Sequence, residues 1–235
     1  MHSVFERAIN VLWHDGRLLT LHGPAPLAAP FAIALDELPR YGAVAPSVRI
    51  APSDLDWTKA ETVPLGIPRG PLAFDWGALP APPPSAALRS GTGLRAMRDL
   101  GEGLAERDPV ALADSAWRLI GLGEGLTPSG DDCVVGAIAV AHRLAPEWLA
   151  SNVALRDRLA EAARTRTTDV ARDFVLEALE GRFAESVRSL VAADSDAGAS
   201  RAALRLLDLG ATSGADTLCG IRLACYALTL ATVAP

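Results

Sequence analysis

One phrase occurs twice in this chain and limits the fold more than any other feature. Ser129-Gly130-Asp131-Asp132-Cys133-Val134-Val135-Gly136 and Ser213-Gly214-Ala215-Asp216-Thr217-Leu218-Cys219-Gly220 share the skeleton Ser-Gly-x-Asp-x-x-x-Gly. Each copy opens an apolar run that suits a core helix and is too short to cross a membrane. The closing glycine falls four residues after the aspartate, on the same helix face. A glycine there weakens the helix but lets another backbone come close. Two helix starts of one design predict a pair of packed helices whose N-termini converge on one site.

The first copy is fed by Gly121-Leu122-Gly123-Glu124-Gly125-Leu126-Thr127-Pro128. Alternate glycines leave the backbone free to take positive φ and to approach a ligand. Thr127-Pro128-Ser129 supplies a helix start, with a capping hydroxyl and a preset φ. A flexible loop ending at the positive end of a buried helix suits a phosphate or carboxylate. The substrate-binding residues expected here are Gly123, Gly125, Thr127, Ser129 and Gly130, joined by Ser213, Gly214 and Thr217 from the second copy. Asp131, Asp132 and Asp216 are the candidate catalytic residues. They can accept hydrogen bonds from an amide or carbamoyl NH2, or bind Mg2+ through oxygens. The same residues also make ordinary helix-capping chemistry, since serine caps and acids complement the first turn. Neither copy matches a known nucleotide-binding glycine motif.

Arg164-Thr165-Arg166-Thr167-Thr168-Asp169 is a further candidate. Arg166, Thr167 and Thr168 can hold an anion by charge-assisted hydrogen bonds, or Thr167 and Thr168 can cap the next helix.

Gly125-Leu126-Thr127-Pro128-Ser129-Gly130-Asp131-Asp132 followed by a small-apolar helix, with the later Ser213-Gly214-Ala215-Asp216-Thr217-Leu218-Cys219-Gly220, resembles a bacterial family of formerly unknown function. That family includes a subunit of the oxamate carbamoyltransferase of anaerobic allantoin breakdown. The resemblance covers roughly residues 85–230. It implies an enzyme subunit that works with other chains on a small anionic substrate such as carbamoyl phosphate or oxamate.

Half of the 235 residues are hydrophobic, aromatics are few, and alanine and leucine are plentiful, which favours packed helices. The net charge is −6 with no basic run, which argues against nucleic-acid binding. The three cysteines, Cys133, Cys219 and Cys225, sit in apolar helical contexts without metal spacing and read as core residues of a reducing compartment. No secretory leader or membrane segment is evident, so the expected location is the cytoplasm.

The expected fold class is α+β: a small β-sandwich or barrel-like portion over residues 1–79, then an all-helical bundle over 85–235. Residues 80–84 form a proline-rich linker within Gly77–Pro84. Val4–Trp13 and Arg17–His22 flank Asp15-Gly16, a hairpin signal. Phe31–Leu35, Val48–Ile50, Thr62–Leu65 and Leu72–Trp76 are further strand candidates. His2, His14 and His22 read as isolated surface residues, lacking a third ligand at sensible spacing. Helices are expected over 85–104, broken near Gly91; 109–120, started by Asp108-Pro109; 130–144; 147–165; 168–180; 182–193; 197–209; and 213–232.

No residue stands in a recognisable Ser/His/Asp or Cys/His arrangement. Three functions fit these features. The first is a carbamoyltransferase subunit that needs no cofactor and acts with partner subunits. The second is a Mg2+-dependent hydrolase, because the Asp/Thr-rich helix starts are similar to those of ADP-ribosylglycohydrolases. The third is a non-catalytic module that binds a small anion.

Overall fold

The structure, a computed structural model, describes residues 3–4, 8–13, 15–23, 29–36, 53, 56–58 and 60–230. Its N-terminal part is one sheet of four strands in chain order: β1 (Ser3–Val4), β2 (Ala8–Leu12), β3 (Leu18–His22) and β4 (Ala32–Ala34). β2 and β3 form the hairpin expected around Asp15-Gly16, antiparallel, with Ala8 opposite His22 and Leu12 opposite Leu18. Gly16 takes φ +82° at the turn, where a side chain would be strained. β4 returns parallel to β3. The class is α+β as expected, and among the described residues the strands make a single sheet.

Three strand and surface expectations need revision. Val48–Ile50 lies outside the described residues, as do His2 and His14. Thr62–Leu65 and Leu72–Trp76 join no sheet. Pro64, Pro68 and Pro71 remove ladder donors along this stretch, which runs as an extended strap. It touches the rest through an isolated bridge, Gly66 to Arg182, and ends in a short 3-10 turn at Trp76–Ala78. Arg143 donates to the carbonyls of Pro68 and Pro71, and Arg222 to those of Trp76 and Leu79, so two guanidinium groups clamp the strap to the helices. His22 is buried rather than exposed, its Nδ1 2.7 Å from the carbonyl of Gly23.

Ten α-helices follow among the described residues: α1 (Ala86–Arg89), α2 (Gly91–Ala105), α3 (Pro109–Leu119), α4 (Ser129–Leu144), α5 (Pro146–Ser151), α6 (Val153–Arg166), α7 (Asp169–Leu179), α8 (Glu185–Val191), α9 (Asp196–Leu207) and α10 (Ser213–Leu230). Two of the expected helices are each split in two by a side chain that competes with the helix. Ser90 closes α1 and caps α2, accepting from the N–H of Gly93. Asn152 separates α5 from α6 by donating its amide to the carbonyl of Trp148, a bond the helix would otherwise make. α8 starts later than expected because residues 182 and 183 bond the strap, with the Phe183 N–H donating to the Leu65 carbonyl. Asp108 caps α3 as expected, accepting from Val110 and Ala111.

One continuous core runs through the helices, with α4 and α10 at its centre. The sheet docks on α7. The Leu18 N–H donates to Asp173 at 2.6 Å, and Arg172 bridges Asp169, Asp173 and the Gly16 carbonyl. Phe31 stacks edge-on against Phe174 at 4.6 Å.

Candidate functional site

The two repeats meet as the sequence predicts. A Cβ on Gly136 would stand 2.2 Å from the carbonyl oxygen of Thr217, and one on Gly220 would stand 1.9 Å from that of Cys133. Thr217 and Cys133 occupy equivalent positions in the two copies, so the contact is reciprocal. No side chain fits at either glycine, and the two helix backbones touch. Their N-termini lie side by side: the hydroxyls of Thr127 and Ser213 share a hydrogen bond of 2.8 Å.

The glycine loop is pinned at its start and near its end. Gly121 takes φ +82°, and a Cβ there would lie 2.1 Å from the Arg166 carbonyl, so glycine is required twice over. Gly123 and Gly125 also have positive φ. Thr168 donates to the Leu126 carbonyl and accepts from the Ala171 N–H, which makes it the cap of α7 and a fastener of the loop.

The helix starts differ from expectation in one respect. Pro128 holds the N-cap position of α4, and no side chain caps it. Five of the first-turn N–H groups are spent within the protein. Gly130 donates to Leu122, Asp131 and Asp132 to Pro128, Gly214 to Leu209, and Asp216 to Thr212. Side chains, not these backbone amides, are therefore left to meet a ligand.

The three aspartates divide. Asp131 is buried and accepts from the Gly121 N–H at 2.8 Å through Oδ2. Asp216 is wholly buried and accepts from the Ser85 N–H at 2.9 Å through Oδ1. Each braces a distant backbone. Asp132 makes no such bond and lines a cleft. Each of the three keeps one carboxyl oxygen that is buried without a hydrogen-bond partner. Burial pushes Asp132 up to about 8; the hydroxyls of Ser213 and Thr127 pull it down, and the neighbouring carboxyls of Asp131 and Asp216 push it further up. Burial raises Asp131 to about 6, against the opposing Gly121 N–H and the Thr167 hydroxyl. At pH 7 the carboxyl of Asp132 is therefore mostly neutral. Among the described residues, no three or more His, Cys, Asp or Glu side chains are arranged to hold a metal ion.

The cleft beside Asp132 has a volume of about 120 Å³. Thr127, Asp132, Ser213, Gly214 and Thr217 form one wall, contributed by both repeats. Arg182 and Ser186 stand in the lining with apolar Phe174, Phe183, Val187 and Leu206. Ser186 is 2 % exposed and its hydroxyl has no hydrogen-bond partner. Arg182 is half exposed and pairs through Nε with Glu177. The apolar walls keep water out and strengthen any hydrogen bond made inside.

Five of the sequence-derived residues thus come together with Asp132 close to Asp131 and Asp216. Others lie outside the cleft lining. Ser129 is buried with its Oγ against Gly123, and Gly130 packs on the Leu119 carbonyl. Arg166 is exposed, its guanidinium 5.2 Å above the Trp117 ring. Thr167 keeps a buried hydroxyl without a hydrogen-bond partner. Sequence reasoning missed Arg182, Ser186, Phe174 and Phe183. They lie on α7, α8 and their connection, where no local motif marks them.

The arrangement is a pair of repeated helix starts that touch through their glycines and together line one cleft. The family model described as oxamate carbamoyltransferase subunit AllH matches residues 119–225, which span both repeats, and that of the AllH family N-terminal domain matches residues 1–63. The chain belongs to this family of oxamate carbamoyltransferase subunits. No curated protein and no solved structure matches it. Among the described residues no helix is long and apolar enough to cross a membrane.

Proposed function

We propose that this chain is the oxamate-holding subunit of a carbamoyltransferase, with the substrate in the cleft where the two repeats meet. The observation that carries the reading is Asp132. Its carboxyl is buried beside the hydroxyls of Thr127 and Ser213, lines the cleft, and keeps one oxygen without a partner. A primary amide is the complement of such a group, since it donates to the carboxyl and accepts from a hydroxyl.

The chemistry follows from that placement. The oxamate nitrogen bonds to the carbamoyl carbon of carbamoyl phosphate, the carbon–oxygen bond to phosphate breaks, and phosphate leaves. The N–H proton passes to the carboxylate of Asp132, acting as general base. Oxamate fills only part of the cleft, so the mouth remains open to the carbamoyl donor and to groups from partner subunits. The reading needs no metal. The protein is expected to act in the cytoplasm, with turnover only in the presence of its partners.

Calorimetric titration tests it. Oxamate binds the wild type and fails to bind Asp132→Ala, while inorganic phosphate alone gives no comparable heat. In the reconstituted enzyme, kcat/KM rises with pH through about 8, as the Asp132 carboxyl is deprotonated. Equal oxamate binding by wild type and Asp132→Ala would remove the cleft from the reaction. Turnover that depends on added Mg2+ would favour the hydrolase reading.

A further inference from the structure

Ser186 is a polar group in search of a partner. It sits on α8, is 2 % exposed, lines the same cleft as Asp132, and its hydroxyl is bonded to nothing. A buried, unpaired hydroxyl costs stability, and a short helix whose Val187, Leu190 and Val191 are buried would hold alanine at this position as well. Asp132 lines the same cleft and also keeps one buried oxygen without a partner. Arg182 adds a cation to the lining that is half exposed. Among the polar groups of the lining, the Ser186 hydroxyl and one Asp132 oxygen are buried and the guanidinium is the exposed one.

We infer that Ser186 and Arg182 set substrate orientation and specificity. The carboxamide of an oxamate-like ligand lies inward between Asp132 and Ser186, and its carboxylate lies outward at Arg182. This rests on the proposed site. Ser186 donates to the amide carbonyl oxygen and Asp132 accepts from the amide nitrogen. Above about pH 8, where Asp132 is ionised, a carboxylate in the inner position would face a like charge and find no cation there. Arg182 meets the ligand's carboxylate while keeping its Nε bond to Glu177. The ligand class is a small acid that carries a primary amide next to its carboxylate. Dicarboxylates of the same size are rejected at the inner end, and diamides lack the outer ion pair.

The test is calorimetry of the full chain with oxamate, oxalate and oxamide, using wild type, Ser186→Ala and Arg182→Gln. At a pH above about 8, wild type should prefer oxamate over oxalate by about tenfold or more, one lost hydrogen bond being worth roughly that factor. Ser186→Ala should weaken oxamate by about tenfold and narrow its advantage over oxalate. The same substitution should raise the Tm of the ligand-free protein by about 2 °C, because an unpaired buried hydroxyl is removed. A residue with a purely structural role would not combine higher stability with lower affinity. Arg182→Gln should weaken oxamate and oxalate and leave oxamide unchanged. Oxamate binding to Ser186→Ala at wild-type strength, or oxalate binding wild type as tightly as oxamate does, would overturn the orientation and leave the site standing. A wild type that binds no oxamate would overturn both.

Discussion

The two copies of Ser-Gly-x-Asp-x-x-x-Gly fold alike and end up doing different things. Both start a central helix, both place a glycine against the partner backbone, and both feed the same cleft wall. The equivalent aspartates then part. Asp216 is spent on the N–H of Ser85, which ties the start of the helical region to α10. Asp132 is bonded to no distant backbone and faces the cleft. The first copy has a second acid, Asp131, where the second copy has Ala215, and that acid holds the glycine loop. Duplication thus supplied one helix start that stabilises and one whose burial is tolerated at a cost. Sites that bind or react are where such costs are expected to concentrate.

The largest effect should come from what the copies share. Gly136→Ala and Gly220→Ala each push a Cβ into a backbone carbonyl, and each should destabilise by about 3 kcal/mol or more in chemical denaturation. A mild effect at one glycine alone would break the symmetry of the helix pair. The aspartates should then separate in sign. Asp216→Ala removes the acceptor of the Ser85 N–H and should cost about 2 kcal/mol. Asp132→Asn relieves a buried carboxylate and should stabilise by about 2 kcal/mol at pH 8.

The pH dependence of stability sharpens the same contrast. Asp132 holds its proton more tightly in the folded protein than in the unfolded chain, so stability falls as pH rises from about 4 through about 8. Asp131 acts in the same direction up to about 6. His142, depressed by burial, acts in the opposite direction, gaining stability as pH rises toward the ordinary histidine range. The interval from 7 to 8 therefore isolates Asp132, and wild type should lose about 1 kcal/mol there while Asp132→Asn loses almost nothing. The smallest effect belongs to Arg166→Ala. Its guanidinium lies over Trp117 on the surface, so the substitution should change stability by less than about 0.5 kcal/mol and leave oxamate affinity unchanged.

Much of this was legible in the sequence because it is local. Asp15-Gly16 marks its hairpin, Asp108-Pro109 starts its helix, and the repeated glycines mark the helix contact. The convergence of the two helix starts, now seen in the Thr127–Ser213 hydrogen bond, followed from the repeated phrase. What could not be read depends on distant partners. Nothing near Asp131 or Asp216 says that one will bond Gly121 and the other Ser85. Nothing near Ser186 or Arg182 marks a cleft, because their neighbours arrive from helices dozens of residues away. The proline strap was misread as strands because apolar residues alternate there, while Pro64, Pro68 and Pro71 forbid the ladder. Ser90 and Asn152 split helices whose apolar periodicity runs on, since a side-chain bond at the break replaces a backbone one.

The central claim is that the aspartate of the first repeat meets the substrate and the aspartate of the second only supports the fold. Carboxyl-carbon NMR of the aspartates, followed through a pH titration and then an oxamate titration, tests it most directly. The account predicts an Asp132 signal that titrates near 8 in the free protein and shifts on oxamate addition, with Asp216 unmoved by the ligand. An Asp132 signal that titrates near 4 and ignores oxamate, or an Asp216 signal that moves in its place, would contradict it.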